Sequence, residues 1–159
     1  MNIFVLSDTH GNIGKAIEMY ERLSAGINFD LIIHCGDFKM DALRLGELLK
    51  VEVVSVRGNC DGARTRDIAL VEAPSTRIAV THGHMEDVKL SKLNLKYLAQ
   101  EKKCSIVCYG HTHRPENEVV DGVRLFNPGS ISLPRDGTQG SVGIIVSDNK
   151  HTACSVVYY

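Results

Sequence analysis

The sequence predicts an α/β fold: a four-layer α-β-β-α sandwich with two mixed sheets flanked by helices. Three observations point that way. Residues 2–56 alternate apolar runs of strand length with helical periodicity in the order β-α-β-α-β, which calls for right-handed crossovers and parallel strands. Two short strands, a single long helical stretch and one further strand follow. From Glu116 onward only strand patterns remain, so the second half is expected to supply the more antiparallel sheet.

Taken in order, residues 2–7 are apolar with little alternation, as in a strand buried on both faces. Asn12 is placed to cap a helix reaching about Ala25, with Ile13, Ile17, Tyr20 and Leu23 facing inward. Residues 30–34 read as the second strand and 51–56 as the third. Between them runs a helix over 41–50 that uses Ala42, Leu45, Leu48 and Leu49. After a polar stretch at 62–66, two short strands near 68–72 and 76–81 flank Pro74. The longest helix is expected at 88–103, with Leu90, Leu93, Tyr97 and Leu98 inward. Lys89, Lys92, Lys96, Lys102 and Lys103 would form its solvated face. Residues 105–109, 118–120, 123–126, 142–146 and 152–158 complete the strands, with an Asp121-Gly122 hairpin and a turn at Asp148-Asn149.

Composition narrows the function. At 159 residues the chain is expected to form a single domain, 1–159, large enough to bury a core. Eighteen Lys and Arg against nineteen Asp and Glu leave no bulk basic field for nucleic acid. No apolar run is long enough for a membrane helix, and the first residues enter a strand without a basic leader. A cytoplasmic protein is expected. Five cysteines, with no CxxC among them, suit neither a paired disulfide framework nor a zinc knuckle. Cys35, Cys104, Cys108 and Cys154 read as small core residues.

The informative feature is how the apolar runs end. Asp8 and His10 follow the first run, Gly36-Asp37 the second and Gly58-Asn59 the third. His82-Gly83 and Gly110-His111-Thr112-His113 follow two later ones. In parallel sheets such positions face ligands. Taken singly, each is a turn pair or an ordinary histidine. Together, three oxygen donors and four imidazoles suit borderline divalent ions. Seven ligands are more than one ion needs and enough for two that share a carboxylate. His34 and His151 fall outside the set and read as satisfied or solvated histidines.

Asp8-x-His10, Gly36-Asp37, Gly58-Asn59-Cys60-Asp61, His82-Gly83-His84 and Gly110-His111-Thr112-His113 resemble the signature blocks of the calcineurin-like metallophosphoesterases. Asn127-Pro128-Gly129-Ser130 and the short chain are similar to the small YfcE-like phosphodiesterase branch. The resemblance spans roughly residues 3–135. It implies one metal on Asp8, His10 and His113, a second on Asn59, His82 and His111, and Asp37 bridging them. The implied cofactors are two divalent ions, Mn²⁺ foremost, with Ni²⁺, Zn²⁺, Fe²⁺ and Mg²⁺ as alternatives. The implied reaction is hydrolysis of a small-molecule phosphodiester by a metal-bridging hydroxide. After the two carboxylates and the hydroxide are set against two dications, one positive charge remains, which a diester monoanion neutralises and a monoester dianion exceeds.

Many members of the wider superfamily carry histidine where this sequence has Cys60. An ordinary thiol, with a pKa of about 8.5, is a weaker acid for protonating a leaving group. Cys60 is either that acid or a packed thiol. His84 either assists or hydrogen-bonds a ligand, and Arg135 either meets a phosphate or lies on the surface. A different class of function is also open, since a retromer subunit of similar fold serves as an interaction scaffold. A metallo-β-lactamase-type site is a remote alternative, because neither His-x-His segment continues into the required Asp-His. The tail ending Val156-Val157-Tyr158-Tyr159 offers a surface for a homo-oligomer.

Overall fold

The computed structural model describes residues 1–135 and 137–159. The chain begins β1 (Asn2–Leu6), α1 (Gly14–Ser24), β2 (Leu31–His34), α2 (Lys39–Leu49) and β3 (Glu52–Ser55). It continues β4 (Ala69–Ala73), β5 (Thr76–Val80), α3 (Leu93–Lys102), β6 (Ile106–Cys108) and β7 (Pro115–Val120). It ends with β8 (Val123–Pro128), β9 (Ser141–Ser147) and β10 (Thr152–Tyr158). One sheet has the order β10-β9-β1-β2-β3 and the other β4-β5-β6-β8-β7. β1, β2 and β3 run parallel, as do β5, β6 and β8, and the remaining pairings are antiparallel.

Three apolar clusters make the four layers. Ile3, Val5, Ile33, Ile78, Val80, Cys108, Phe126 and Ile145 fill the space between the sheets. On the outer face of the first sheet, Phe4, Leu6 and Ile32 meet Ala16 and Met19 of α1 and Leu45 of α2. On the outer face of the second, Ala79, Val107 and Leu125 meet Leu95, Leu98 and Ala99 of α3. β1 therefore buries both faces, as its unbroken apolar run predicts. Among the described residues no helix is long and apolar enough to cross a membrane.

Several local expectations are corrected. The second half does not build the more antiparallel sheet, because β9 and β10 return to the first one and pair along β1. β1 is buried throughout and needs a partner on both edges; β9, apolar on both faces through Val142, Ile144 and Ile145, supplies one. α1 starts at Gly14 after Ile13, and no side chain caps it. Asn12 instead closes a turn, its N–H donating to the Thr9 carbonyl at 3.0 Å.

α3 starts at Leu93, five residues later than expected; Leu98 is buried as expected, together with Leu95 and Ala99, whereas Leu90, Leu93 and Tyr97, expected inward, are exposed. Its lysines do more than face water, since Lys92 pairs with Glu116 and Glu118 of β7, and Lys96 with Asp121. The Asp121-Gly122 hairpin forms as predicted, with positive φ at both residues, as a primed turn requires.

Candidate metal centre

Five parallel strands, three from the first sheet and two from the second, deliver the candidate ligands. Asp8 follows β1, Asp37 follows β2, Asn59 opens a single 3-10 turn after β3, His82 follows β5, and His111 and His113 follow β6. His113 Nε2 lies 3.2 Å from Asp8 Oδ1 and 3.3 Å from His10 Nε2, and His10 Nε2 lies 3.7 Å from Asp37 Oδ2. His82 Nε2 lies 3.1 Å from Asn59 Oδ1, 3.4 Å from Asp37 Oδ1 and 3.9 Å from Asp8 Oδ1. Donor atoms of Asp8, His10 and His113 fall within 4.8 Å of one another, as do those of Asp8, Asp37 and His82, and those of His10, Asp37 and Cys60. His111 enters none of these three sets; its ring packs 5.1 Å from that of His82, centroid to centroid.

Two backbone carbonyls decide what these histidines present. His82 Nδ1 donates to the Cys35 carbonyl at 2.8 Å, and His113 Nδ1 to the Leu133 carbonyl at 2.7 Å. In the neutral ring each Nε2 is then a bare lone pair. His82 Nε2 therefore faces three oxygen acceptors, and Asp8 Oδ1, fully buried, has no hydrogen-bond partner among the described residues. Acceptors aimed at acceptors in a buried space repel unless a cation lies between them. The donor set therefore fits divalent cations. Burial would raise the Asp8 carboxyl, but His113, His82 and the Ser7 hydroxyl (2.5 Å) outweigh it and hold it below the ordinary carboxylate range. The same contact with Asp8 raises His113. Burial chiefly, then the charges of His82 and Lys89, push His111 down to about 4.

The backbone is strained where the candidate ligands sit. Asp8, His10, Asp37, His111 and His113 all have φ between 48° and 67°. Asp and His tolerate this left-handed region better than most residues, but each still costs on the order of 1–2 kcal/mol. Such strain clusters at functional sites. The neighbouring glycines serve space more than angle. A Cβ at Gly58 would fall 2.1 Å from Asp37 Oδ1, and one at Gly110 would fall 1.8 Å from Ser7 Oγ. Gly36 meets both demands, with φ of 99° and His82 Nδ1 2.8 Å from its virtual Cβ.

A supporting layer went unread in the sequence. Ser130 Oγ and Ser132 Oγ donate to the Asp8 carbonyl, and the His111 N–H donates to Asp8 Oδ2. The Cys60 N–H holds Asp37 Oδ1 at 2.8 Å. Asn127 Nδ2 donates to the Gly110 carbonyl and the Thr112 hydroxyl, which orders the loop carrying His111 and His113. The only trace of this in the sequence was the Asn127-Pro128-Gly129-Ser130 block. His34 is the satisfied histidine expected: Nε2–H donates to Thr9 Oγ1, and Nδ1 accepts from the Gly36 N–H.

Cys60 is exposed beside Asp37, where desolvation first, and then Asp37 and Asp61, push its thiol up to about 11. His84 stacks near His82 and His111 with Nε2 3.3 Å from the Ala63 carbonyl. Arg135 is exposed.

The calcineurin-like phosphoesterase superfamily domain matches residues 1–150. A probable metallophosphoesterase of Bacillus subtilis, YsnB, is 38% identical over 160 residues, covering 100% of this chain and 90% of that protein. The Escherichia coli phosphodiesterase YfcE is 31% identical over 174 residues, covering 93% of this chain and 89% of YfcE. The crystal structure of Vps29 from Entamoeba histolytica, complexed with Zn²⁺, overlays with a TM-score of 0.78 over 99% of both chains; at 20% identity it shares the fold alone. Motifs, fold and relatives agree: the chain belongs to the calcineurin-like phosphoesterase superfamily, in its small YfcE-like branch.

Proposed function

We propose that the chain, read as one domain over 1–159, is a divalent-metal-dependent phosphodiesterase. Asp8, His10 and His113 would hold one ion and Asn59, His82 and His111 a second, with Asp37 contributing to both. The observation that carries the reading is the convergence of His82 Nε2, Asn59 Oδ1, Asp37 Oδ1 and Asp8 Oδ1 with no proton to share among them. Membership in a phosphoesterase superfamily, and the phosphodiesterase named among the relatives, support hydrolysis of a phosphoester. Mixed imidazole and oxygen donors suit Mn²⁺, Fe²⁺, Ni²⁺ or Zn²⁺, with Mg²⁺ the hardest of the candidates; Mn²⁺ is taken first on the family resemblance. Two such ions supply, when bound, an acidified water and a clamp for phosphoryl oxygens.

The chain's own residues prepare this site. The Cys35 and Leu133 carbonyls keep His82 and His113 in one tautomer. The Cys60 N–H fixes the Asp37 carboxylate, and Ser7 with the His111 N–H fixes that of Asp8. Cys60 and His84 are the proton carriers beside the ligands. With its thiol raised to about 11, Cys60 gives up a proton reluctantly, which suits esters whose leaving group needs little help. The five cysteines are thiols, in keeping with a cytoplasmic setting.

Hydrolysis of bis-p-nitrophenyl phosphate and p-nitrophenyl phosphate, after chelation and with each metal restored, tests the reading. Metal-dependent cleavage with the diester preferred is expected. No cleavage with any ion, in protein that binds metal by elemental analysis, would overturn it in favour of a metal-binding scaffold.

A further inference from the structure

Beside the ligands lies a cavity of about 380 Å³ lined by Val88, Lys89, Lys92, Thr112, Arg114 and Glu116. Thr112 stands between His111 and His113 in the chain, so the candidate metal-ligand loop itself forms part of the cavity wall. Three cations line it against one carboxylate. Glu116 is engaged by Lys92 and by the Tyr109 hydroxyl, and Glu118 behind it also pairs with Lys92. Lys92 is thereby engaged by two carboxylates, and the positive charge argued for the cavity is that of Lys89. Lys89 is exposed and makes no ion pair among the described residues. Arg114 is set on the rim by the Thr112 hydroxyl, which accepts from its N–H at 3.2 Å and is itself held by Asn127.

Nothing in cleaving a simple diester calls for this second positive site. Building on the phosphodiesterase reading, we propose that the cavity receives an anionic group on the non-leaving arm of the substrate. The preferred substrates are then phosphodiesters carrying a further phosphate or carboxylate a few bonds from the scissile phosphorus, with Lys89 and Arg114 as its recognition residues. The volume lies within the range of small-ligand sites and admits such a terminus together with part of its arm. Val88 gives that arm an apolar wall.

The test compares three p-nitrophenyl diesters that share a leaving group and differ in the other arm: propyl, 2-carboxyethyl and 2-(phosphonooxy)ethyl. On Mn²⁺-loaded protein, kcat/KM is expected to be about five- to tenfold higher for a charged arm than for propyl. Lys89→Glu should reduce that ratio to about one or below, and Lys89→Arg should retain it. The better of the two charged arms identifies the terminus. A ratio near one in the wild-type protein, or a ratio unmoved by Lys89→Glu, would overturn the proposal.

Binding of inorganic phosphate to the chelated protein, followed by ³¹P line broadening, separates this idea from the reading beneath it. If no diester is cleaved, the phosphodiesterase reading fails. Broadening that Lys89→Glu abolishes would still support the anion site, whereas none in the wild-type protein would overturn it.

Discussion

At the scale of single residues, proton placement governs both the site and the stability around it. His34 is fully buried, and burial pushes it down to about 4 despite the nearby carboxylates of Asp8 and Asp41. In the unfolded chain it titrates near 6.5. Between those values the unfolded state binds a proton that the folded state refuses. The contribution to stability is therefore complete above about pH 6.5 and is lost as pH falls toward 4, up to roughly 3 kcal/mol. Urea unfolding of the chelated protein at pH 7 and pH 5 should show a smaller drop for His34→Gln than for the wild type. His111 acts in the same direction and His113, which is raised, in the opposite one. Both are common to the two proteins and leave the difference to His34. An identical drop would place the proton uptake elsewhere.

At the scale of elements, the two sheets approach closely where Gly143 of β9 faces Phe126 of β8. Gly143 pairs with Val5 on one side and Val156 on the other. A Cβ there would lie 2.6 Å from the Phe126 ring. Phe126 is fully buried in the central layer and has nowhere to turn. Gly143→Ala should cost about 1–3 kcal/mol by overpacking, read as a lowered urea midpoint with unchanged slope. A midpoint equal to the wild type would mean that the sheets separate freely. α3 teaches a different lesson. The expected stripe, Leu90, Leu93, Tyr97 and Leu98, and the observed one, Leu95, Leu98 and Ala99, share Leu98 and are both acceptable helical stripes. Periodicity alone cannot choose between them; the sheet surface at Val107 and Leu125 did.

At the scale of the whole molecule, the two sheets meet at an edge that is costly without cations. Five left-handed candidate-ligand residues, and Asp8 Oδ1 without a hydrogen-bond partner among the described residues, are conflicts that bound ions would relieve. Ions that bind the folded state alone add about 2.7 kcal/mol at a hundredfold excess over Kd, or roughly 5–10 °C in Tm for a domain of this size. Chelation should lower the wild-type Tm by that order. Asp37→Ala should bind less metal by elemental analysis and show a much smaller shift on chelation, because the residue proposed to join both ions is gone. A wild-type Tm indifferent to chelation and to Mn²⁺ would contradict the dinuclear assignment.

The sequence by itself determined the layered α/β class and which residues gather at the site. Strand-length runs ending in Asp8, Asp37, Asn59, His82, His111 and His113 are local patterns, and parallel strands place their ends together. What only the tertiary structure decided depends on contacts between distant segments. The Cys35 and Leu133 carbonyls that set the histidine tautomers, and the serines that hold Asp8, lie 20 to 124 residues away from the groups they orient. The same is true of the return of β9 to β1 and of the room that Gly58 and Gly110 leave for ligand oxygens. A local pattern records which side chains are available and at what spacing. Their protonation, strain and neighbours arise only when the two sheets close on one another.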